Sequence, residues 1–123
     1  MGYKINWKER GVEWLYHGTV TGAELIQSNE DIYGDPRFDD LRYQLVDLTQ
    51  VERFEVSESD IRKLAFFDAA AARSNPRIRL GIIAGNASGR AISDAYRGSI
   101  QNPPWEHQVF ETREAAEHWL GIR

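Results

Sequence analysis

Two short stretches of this chain gather enough carboxylates, hydroxyls and amides to do chemistry. The first contains Asp47, Thr49, Ser57 and Ser59, with Glu52, Glu55, Glu58 and Asp60 among them. The second is Ala84-Gly85-Asn86-Ala87-Ser88-Gly89-Arg90, which offers glycines for close backbone approach, an amide, a hydroxyl and a cation. Each has a structural reading beside a functional one. Asp47 sits at the end of a mostly apolar run, where a buried carboxylate is costly unless it is hydrogen-bonded. It is read either as an acceptor for N–H groups of the Leu48-Thr49-Gln50 turn or as a ligand contact. No nucleophile or second catalytic group lies at a diagnostic spacing, so general-base chemistry is set aside. Ser57 precedes Asp60 by three residues, which fits a helix N-cap with acidic groups at the positive end of the helix dipole. It is also a candidate phosphorylation site, where a phosphate would add about −1.5 to −2 charges. The second stretch has neither Gly-Lys-Ser/Thr nor a GxGxxG spacing, so Asn86 or Ser88 reads first as the cap of the next helix.

Other chemistries are excluded. The chain has no Cys, which removes disulfides, thiolate nucleophiles and cysteine metal sites. His17, His107 and His118 are scattered without a pair at metal-ligand spacing, and no Gly-x-Ser-x-Gly elbow accompanies any serine. The expectation is a non-enzyme without metal or cofactor. With 15 Lys+Arg against 19 Asp+Glu, the net charge is −4 and no basic run is present, so nucleic acid is not an expected partner. The longest apolar run, Leu80 to Gly85, is far shorter than the roughly 20 residues that cross a bilayer, and the polar N-terminus lacks a signal-peptide h-region. No transmembrane segment is expected, and the cytoplasm is the default location.

The elements that position these groups follow from periodicity. At 123 residues, with 41% hydrophobic residues and four Trp, one folded domain over 1–123 is expected. Tyr3, Ile5 and Trp7 alternate with Lys4 and Asn6, then Val12, Trp14 and Tyr16 with Glu13, Leu15 and His17, across Lys8-Glu9-Arg10-Gly11, and predict an antiparallel hairpin. Thr21-Gly22-Ala23-Glu24 has capping-box spacing and predicts a helix with Leu25, Ile26 and Ile32 inward, ending near Gly34 before Asp35-Pro36. Tyr43–Leu48 reads as a short strand and 77–84 as a second one buried on both faces. Between them a helix from about Ser57 to Asn75 carries Ile61, Leu64, Ala65, Ala69 and Ala72. Strand, helix and strand make a parallel pair. Asp68 falls on the apolar side of that helix. A carboxylate paired with an arginine at the border of the face is expected, ahead of one lining a polar cavity. A further helix runs from Ser88 or Gly89 through Ile100, with Ile92, Ala95, Tyr96 and Ser99 on one side, and ends at Asn102-Pro103-Pro104. His107–Phe110 offers an edge strand, and Thr112 caps a last helix with Ala115, Ala116, Trp119 and Leu120. The four Trp read as core or edge anchors, with Trp105 also a candidate for an exposed contact. The expected order is ββαβαβαβα: a mixed sheet of four to five strands flanked by about four helices. In such sheets ligands gather beyond the carboxyl ends of the parallel strands, and there the two polar stretches would face one crevice if their strands are neighbours.

The chain resembles the STAS-like family, related to bacterial anti-anti-sigma factors and, in overall fold, to CRAL-TRIO lipid-transfer domains. The residues that carry the resemblance are Trp14 with Gly18 and Thr21, the segment Asp35 to Tyr43, Asp47-Leu48-Thr49, and Ala71 to Pro76. In phosphorylatable members an Asp-Leu-Ser-like strand end is followed by Asp-Ser-Ser-Gly, whose serine is the switch. Here Glu55-Val56-Ser57-Glu58 stands at the second element, so Ser57 alone is in place to inherit that role. The resemblance implies a regulatory module that docks a protein partner near the junction of the third strand and second helix. The alternative it implies is a binder of a small apolar or lipid-like ligand between sheet and helices, which would need a cavity of about 300 Å³ or more. Candidate partner or ligand contacts are Asp47, Thr49, Ser57, Asn86, Ser88 and Arg90. The apolar pair Phe66-Phe67 adds the expectation of a homodimer.

Overall fold

The computed structural model describes residues 2–99 and 105–122. Its strands are β1 (Tyr3–Lys8), β2 (Gly11–Thr21), β3 (Tyr43–Glu55), β4 (Arg79–Ile83) and β5 (Glu106–Phe110). Its helices are α1 (Gly22–Tyr33), α2 (Glu58–Ser74), α3 (Ala87–Gly98) and α4 (Arg113–Leu120), with a short 3₁₀ turn over Pro36–Asp40. The order is the one read from the sequence. The expected end of α3 at Asn102-Pro103-Pro104 lies outside the described residues.

The strands lie in the sheet in chain order, β1-β2-β3-β4-β5. β1 and β2 form the antiparallel hairpin, with Ile5 opposite Trp14, and the remaining neighbours are parallel. Three successive crossovers advance across the sheet in the same direction. Because such connections share one hand, they place all their helices on one face. Accordingly α1, α2 and α3 pack their apolar sides on Val12, Trp14, Tyr16, Leu48, Leu80 and Ile82. Among the described helices only α4 lies on the opposite face, where its Ala116 and Leu120 meet Tyr43, Leu45 and Ile83. Burial of β4 on both faces explains its continuous apolarity.

Local chemistry sets the helix boundaries. Capping boxes begin α1 at Thr21–Glu24 and α2 at Ser57–Asp60, while Asn86 caps α3 and Thr112 caps α4. Gly121, with φ +74°, ends α4 in the left-handed conformation glycine adopts without strain. Asn75, fully buried, closes α2 and donates through Nδ2 to the carbonyls of Phe38 and Leu41, both at 2.9 Å. Its own carbonyl accepts the indole N–H of Trp105 at 2.8 Å, so Trp105 is a core anchor, only 3% exposed, and not a surface contact.

Three expectations are corrected. β3 does not stop at Leu48 but continues to Glu55, kept in register with β2 by two bulges, at Leu48–Thr49 and at Glu52. β4 pairs only with Tyr43–Asp47, so the second half of β3 and the end of β2 project as a two-stranded ribbon. In α2, Ala69 is exposed and Asp68 and Ala71 take the inward positions instead, because the apolar stripe Ile61, Leu64, Ala65 continues to Asp68 and Ala72 at i+3 and i+4. In α3 the buried positions are Gly89, Ser93 and Tyr96, with Ala95 and Ser99 exposed.

Candidate functional site

Asp47 stands where β4 leaves β3. Its Oδ1 accepts the Thr49 backbone N–H at 2.9 Å and the Thr49 hydroxyl at 2.6 Å, which shapes the bulge that lets β3 run on. Its Oδ2 accepts from Arg113 Nη2 at 2.8 Å. Arg113 also reaches Glu13 at 3.2 Å and Glu117 at 3.3 Å, so one guanidinium from α4 ties together carboxylates from β2, β3 and its own helix. Asp47 thus has partners for both oxygens, as the acceptor reading requires. Arg113 is a residue that sequence reasoning missed. It is 66 positions from Asp47, and only the pairing of β3, β4 and β5 brings α4 under that strand.

Thr49 does meet the second polar loop. Gly85 adopts φ +71°, and a Cβ placed there would lie 2.7 Å from the Thr49 methyl. Asn86 Nδ2 donates to the Val51 carbonyl at 3.2 Å while its Oδ1 caps α3 through the Gly89 N–H at 2.8 Å. The crevice expected between the two stretches is therefore closed by these contacts. Ser88 is half-buried, and Arg90 turns outward to Glu111 at 2.9 Å. Ser57 does not join this group. It follows eight further strand residues, roughly 25 Å of β3 beyond Asp47 at the usual rise per residue.

At Ser57 the geometry is that of an exposed cap. Ser57 Oγ accepts the Asp60 N–H at 3.1 Å, and Asp60 Oδ2 accepts the Ser57 N–H at 3.1 Å. The hydrogen bond from the Ser57 backbone N–H, the largest cause, holds the Asp60 carboxyl below its ordinary range. The same carboxylate lies against Gly22, where a Cβ would come within 1.9 Å of Oδ2, so the first turns of α1 and α2 meet at this one group. Glu52 and Glu55 on β3 and Glu58 at the start of α2 are exposed.

Beneath the helices a cavity of about 70 Å³ lies against the sheet, walled by Trp14, Leu48, Leu64, Leu80, Ile82 and Ile92 among others. Gln44, Asp68, Ser93 and Tyr96 add polar groups to the lining. Asp68 is 4% exposed and accepts hydrogen bonds from the Tyr33 and Tyr96 hydroxyls. Burial raises its pKa to about 6 against the lowering effect of those two bonds. The expected arginine partner is replaced by this pair of tyrosines, because Asp68 points into the core and not to the border of the helix face. The volume is well short of the roughly 300 Å³ of an ordinary ligand pocket. Phe66 stands outside it, 72% exposed, whereas Trp14 and Tyr96 border it. No described helix is long and apolar enough to cross a membrane, and no metal-binding cluster occurs among the described residues.

No family model matches the sequence, and no curated protein matches it. Among solved structures the chain is similar to the anti-sigma factor antagonist SpoIIAA in its unphosphorylated form, with 12% identity over 98% of this chain and 99% of that one and a TM-score of 0.62. It is similar to the Bacillus cell fate determinant SpoIIAA in the phosphorylated form at 13% identity, over 96% and 98% of the two chains, with a TM-score of 0.60. A Shewanella loihica PV-4 protein of the DUF3478 family with a SpoIIAA-like fold matches at 18% identity, over 96% and 91%, with a TM-score of 0.59. The mixed sheet and four helices described above are thus the SpoIIAA-like, STAS-like fold.

Proposed function

We infer that this chain is a non-enzymatic regulatory module that docks a protein partner through the junction of β3 and α2, centred on Ser57. The observation that carries this reading is the exposed Ser57 hydroxyl at the start of α2, beside the start of α1. It occurs in a fold shared with SpoIIAA, an anti-sigma factor antagonist solved in both phosphorylated and unphosphorylated forms. Catalysis finds no support in the site. Asp47 is engaged by Thr49 and Arg113, and Asp68 is a neutral-pH core carboxylate without a nucleophile among its partners. Carrying a lipid-like ligand has less support than docking, given a cavity of about 70 Å³.

The junction has a physical means of switching. A phosphate on Ser57 adds about −1.5 to −2 charges next to the Asp60 carboxylate, and repulsion between the two anions opposes the reciprocal hydrogen bonds of the capping box. The capping box opens, Asp60 leaves Gly22, and the contact between the starts of α1 and α2 is lost. Glu55 and Glu58 add to the repulsion. A partner that grips both helix starts would therefore distinguish the two forms.

The test is site-specific photo-cross-linking in the host cell, with the photoreactive residue at Glu58 or, as a control, at exposed Lys4 on β1. A protein adduct formed from position 58 and not from 4, and weakened by Ser57→Asp, is the expected result. Equal adducts at both positions, or none at 58, would overturn the docking surface.

A further inference from the structure

Among the described residues one large hydrophobic side chain is exposed, that of Phe66 on the outer face of α2, at 72%. A lone apolar side chain on a surface is ordinary and calls for no partner. Phe66 is not alone. Its ring lies 6.3 Å, centroid to centroid, from that of Phe67, which helps to wall a groove of about 370 Å³ between α1 and α2. Glu30 and Tyr33 line the α1 side of this groove, and Phe67, Ala70 and Ala71 the α2 side. The wall is held from beneath, because the Tyr33 hydroxyl donates to Asp68 and its ring packs edge-on against Phe38. Benzene fits a cavity of about 150 Å³, so the groove has room for a phenyl side chain. A ring that projects and a groove that would take one stand side by side on the same surface.

We propose that the chain forms a two-fold dimer across this surface, in which Phe66 of each copy enters the groove beside Phe67 of the other. A projecting group next to the hollow that fits it makes a self-complementary patch, since one rotation joins both pairs at once. Charge favours a second copy as the occupant. Helix α1 contains no Lys or Arg. Of its acids, Glu24 is held by the Gly2 and Thr21 N–H groups, and Asp31 by the Tyr3 hydroxyl and Gln27. Glu30 remains, exposed beside the groove. Lys63 is exposed on α2, four residues before Phe67 and so on the same side of the helix. Neither Glu30 nor Lys63 forms an ion pair among the described residues. A two-fold axis that crosses α2 at Phe67 sets the two α2 helices antiparallel. Lys63 and Ala71 then lie about 6 Å to either side of the axis, at 1.5 Å of rise per residue. Lys63 of one copy therefore arrives at the level of Ala71 in the other, on the groove side, where that copy's Glu30 stands. Two reciprocal Lys63–Glu30 pairs close the groove over the inserted rings. Arg62 and Arg73 fall on the side of Phe66 away from the groove, with Arg62 paired to Glu58 at 3.8 Å. The contact is centred roughly 14 Å along α2 from Ser57 and does not rest on the reading of that serine.

The test is sedimentation velocity of the purified full chain at increasing concentration. Wild type should pass from monomer to dimer across the micromolar range. Phe66→Glu should stay monomeric there, a loss of affinity of at least about a hundredfold for a buried ring exchanged for a charge. Lys63→Glu and Glu30→Lys should each weaken the dimer about tenfold, and the two together should return it to within about threefold of wild type. All three side chains are exposed, so the variants should fold, and urea unfolding checks that they do. If Phe66→Glu does not fold, the charge exchange decides the question by itself. A wild-type chain that stays monomeric throughout would assign the groove to another occupant and overturn the proposal. So would a dimer that Phe66→Glu leaves intact, or a double variant that associates no more tightly than either single one.

Discussion

The buried carboxylate of Asp68 makes this fold sensitive to pH in the opposite direction from most aspartates. Its folded-state pKa, raised by burial to about 6, lies above the ordinary value of 3.8 taken for the unfolded chain. Between these values the native state holds more protons than the unfolded one, so stability falls as pH rises through the window and levels off above it. The gap of about 2.2 units corresponds to about 3 kcal/mol at 1.36 kcal/mol per unit. No discount for solvent screening applies to a group this enclosed. Asp35, Asp60 and Glu24, whose pKa values are lowered, act in the opposite sense and would mask the effect in a single pH series. The measurement is therefore a comparison. Wild type and Asp68→Asn are unfolded in urea at intervals from pH 4 to pH 7.5, followed by tryptophan fluorescence. Loss of one acceptor toward Tyr33 or Tyr96 shifts the variant by a constant amount, whereas removal of the titrating group changes the slope. The stability of the variant relative to wild type should rise by about 2.4 kcal/mol between pH 4 and pH 7, since part of the effect is already expressed at pH 4. A difference that stays flat across this range would refute the assignment of a raised pKa to Asp68.

Two further outcomes bear on the scaffold. Asn75→Ala leaves the buried carbonyls of Phe38 and Leu41 without their shared donor, and should cost about 3 kcal/mol in chemical denaturation at the usual penalty for orphaned groups. Gly85→Ala meets both a left-handed backbone and the Thr49 side chain, and should lower stability by about 2 kcal/mol. Pairing it with Thr49→Ser, which removes the opposing methyl, should recover part of that loss in a thermal melt.

Much of this architecture was legible because local rules and tertiary packing agree. Thr21, Ser57, Asn86 and Thr112 each sit before a helical pattern and each caps a helix, and the continuous apolarity of β4 matches its burial on two faces. The sequence pattern ends β3 at Leu48 because Thr49, Gln50, Glu52 and Arg53 interrupt its alternation. The bulges that carry the strand past them depend on pairing with β2, which no window of neighbouring residues contains. The candidate site divided for a similar reason. Ser57 was placed at its helix start by capping logic alone, but Asp47 was judged without Arg113, whose approach depends on sheet order and on α4 crossing to the face its predecessors leave open. Helical periodicity places Asp68 among apolar neighbours. Its tyrosine partners come from α1 and α3, and helical periodicity within α2 holds no information about them.

The agreement between the order of the strands in the sheet and their order in the chain has a consequence for how the molecule is made. Every strand pairs with the one synthesised just before it, so the sheet can extend at a single advancing edge as the polypeptide emerges, beginning from a hairpin closed by a short turn. No strand has to be inserted between two already paired. The vulnerable interval comes late. Tyr43, Leu45 and Ile83 stay uncovered on one face until α4, made after all five strands, folds back over them, and during that interval a chaperone or an aggregating neighbour has access to the same apolar surface.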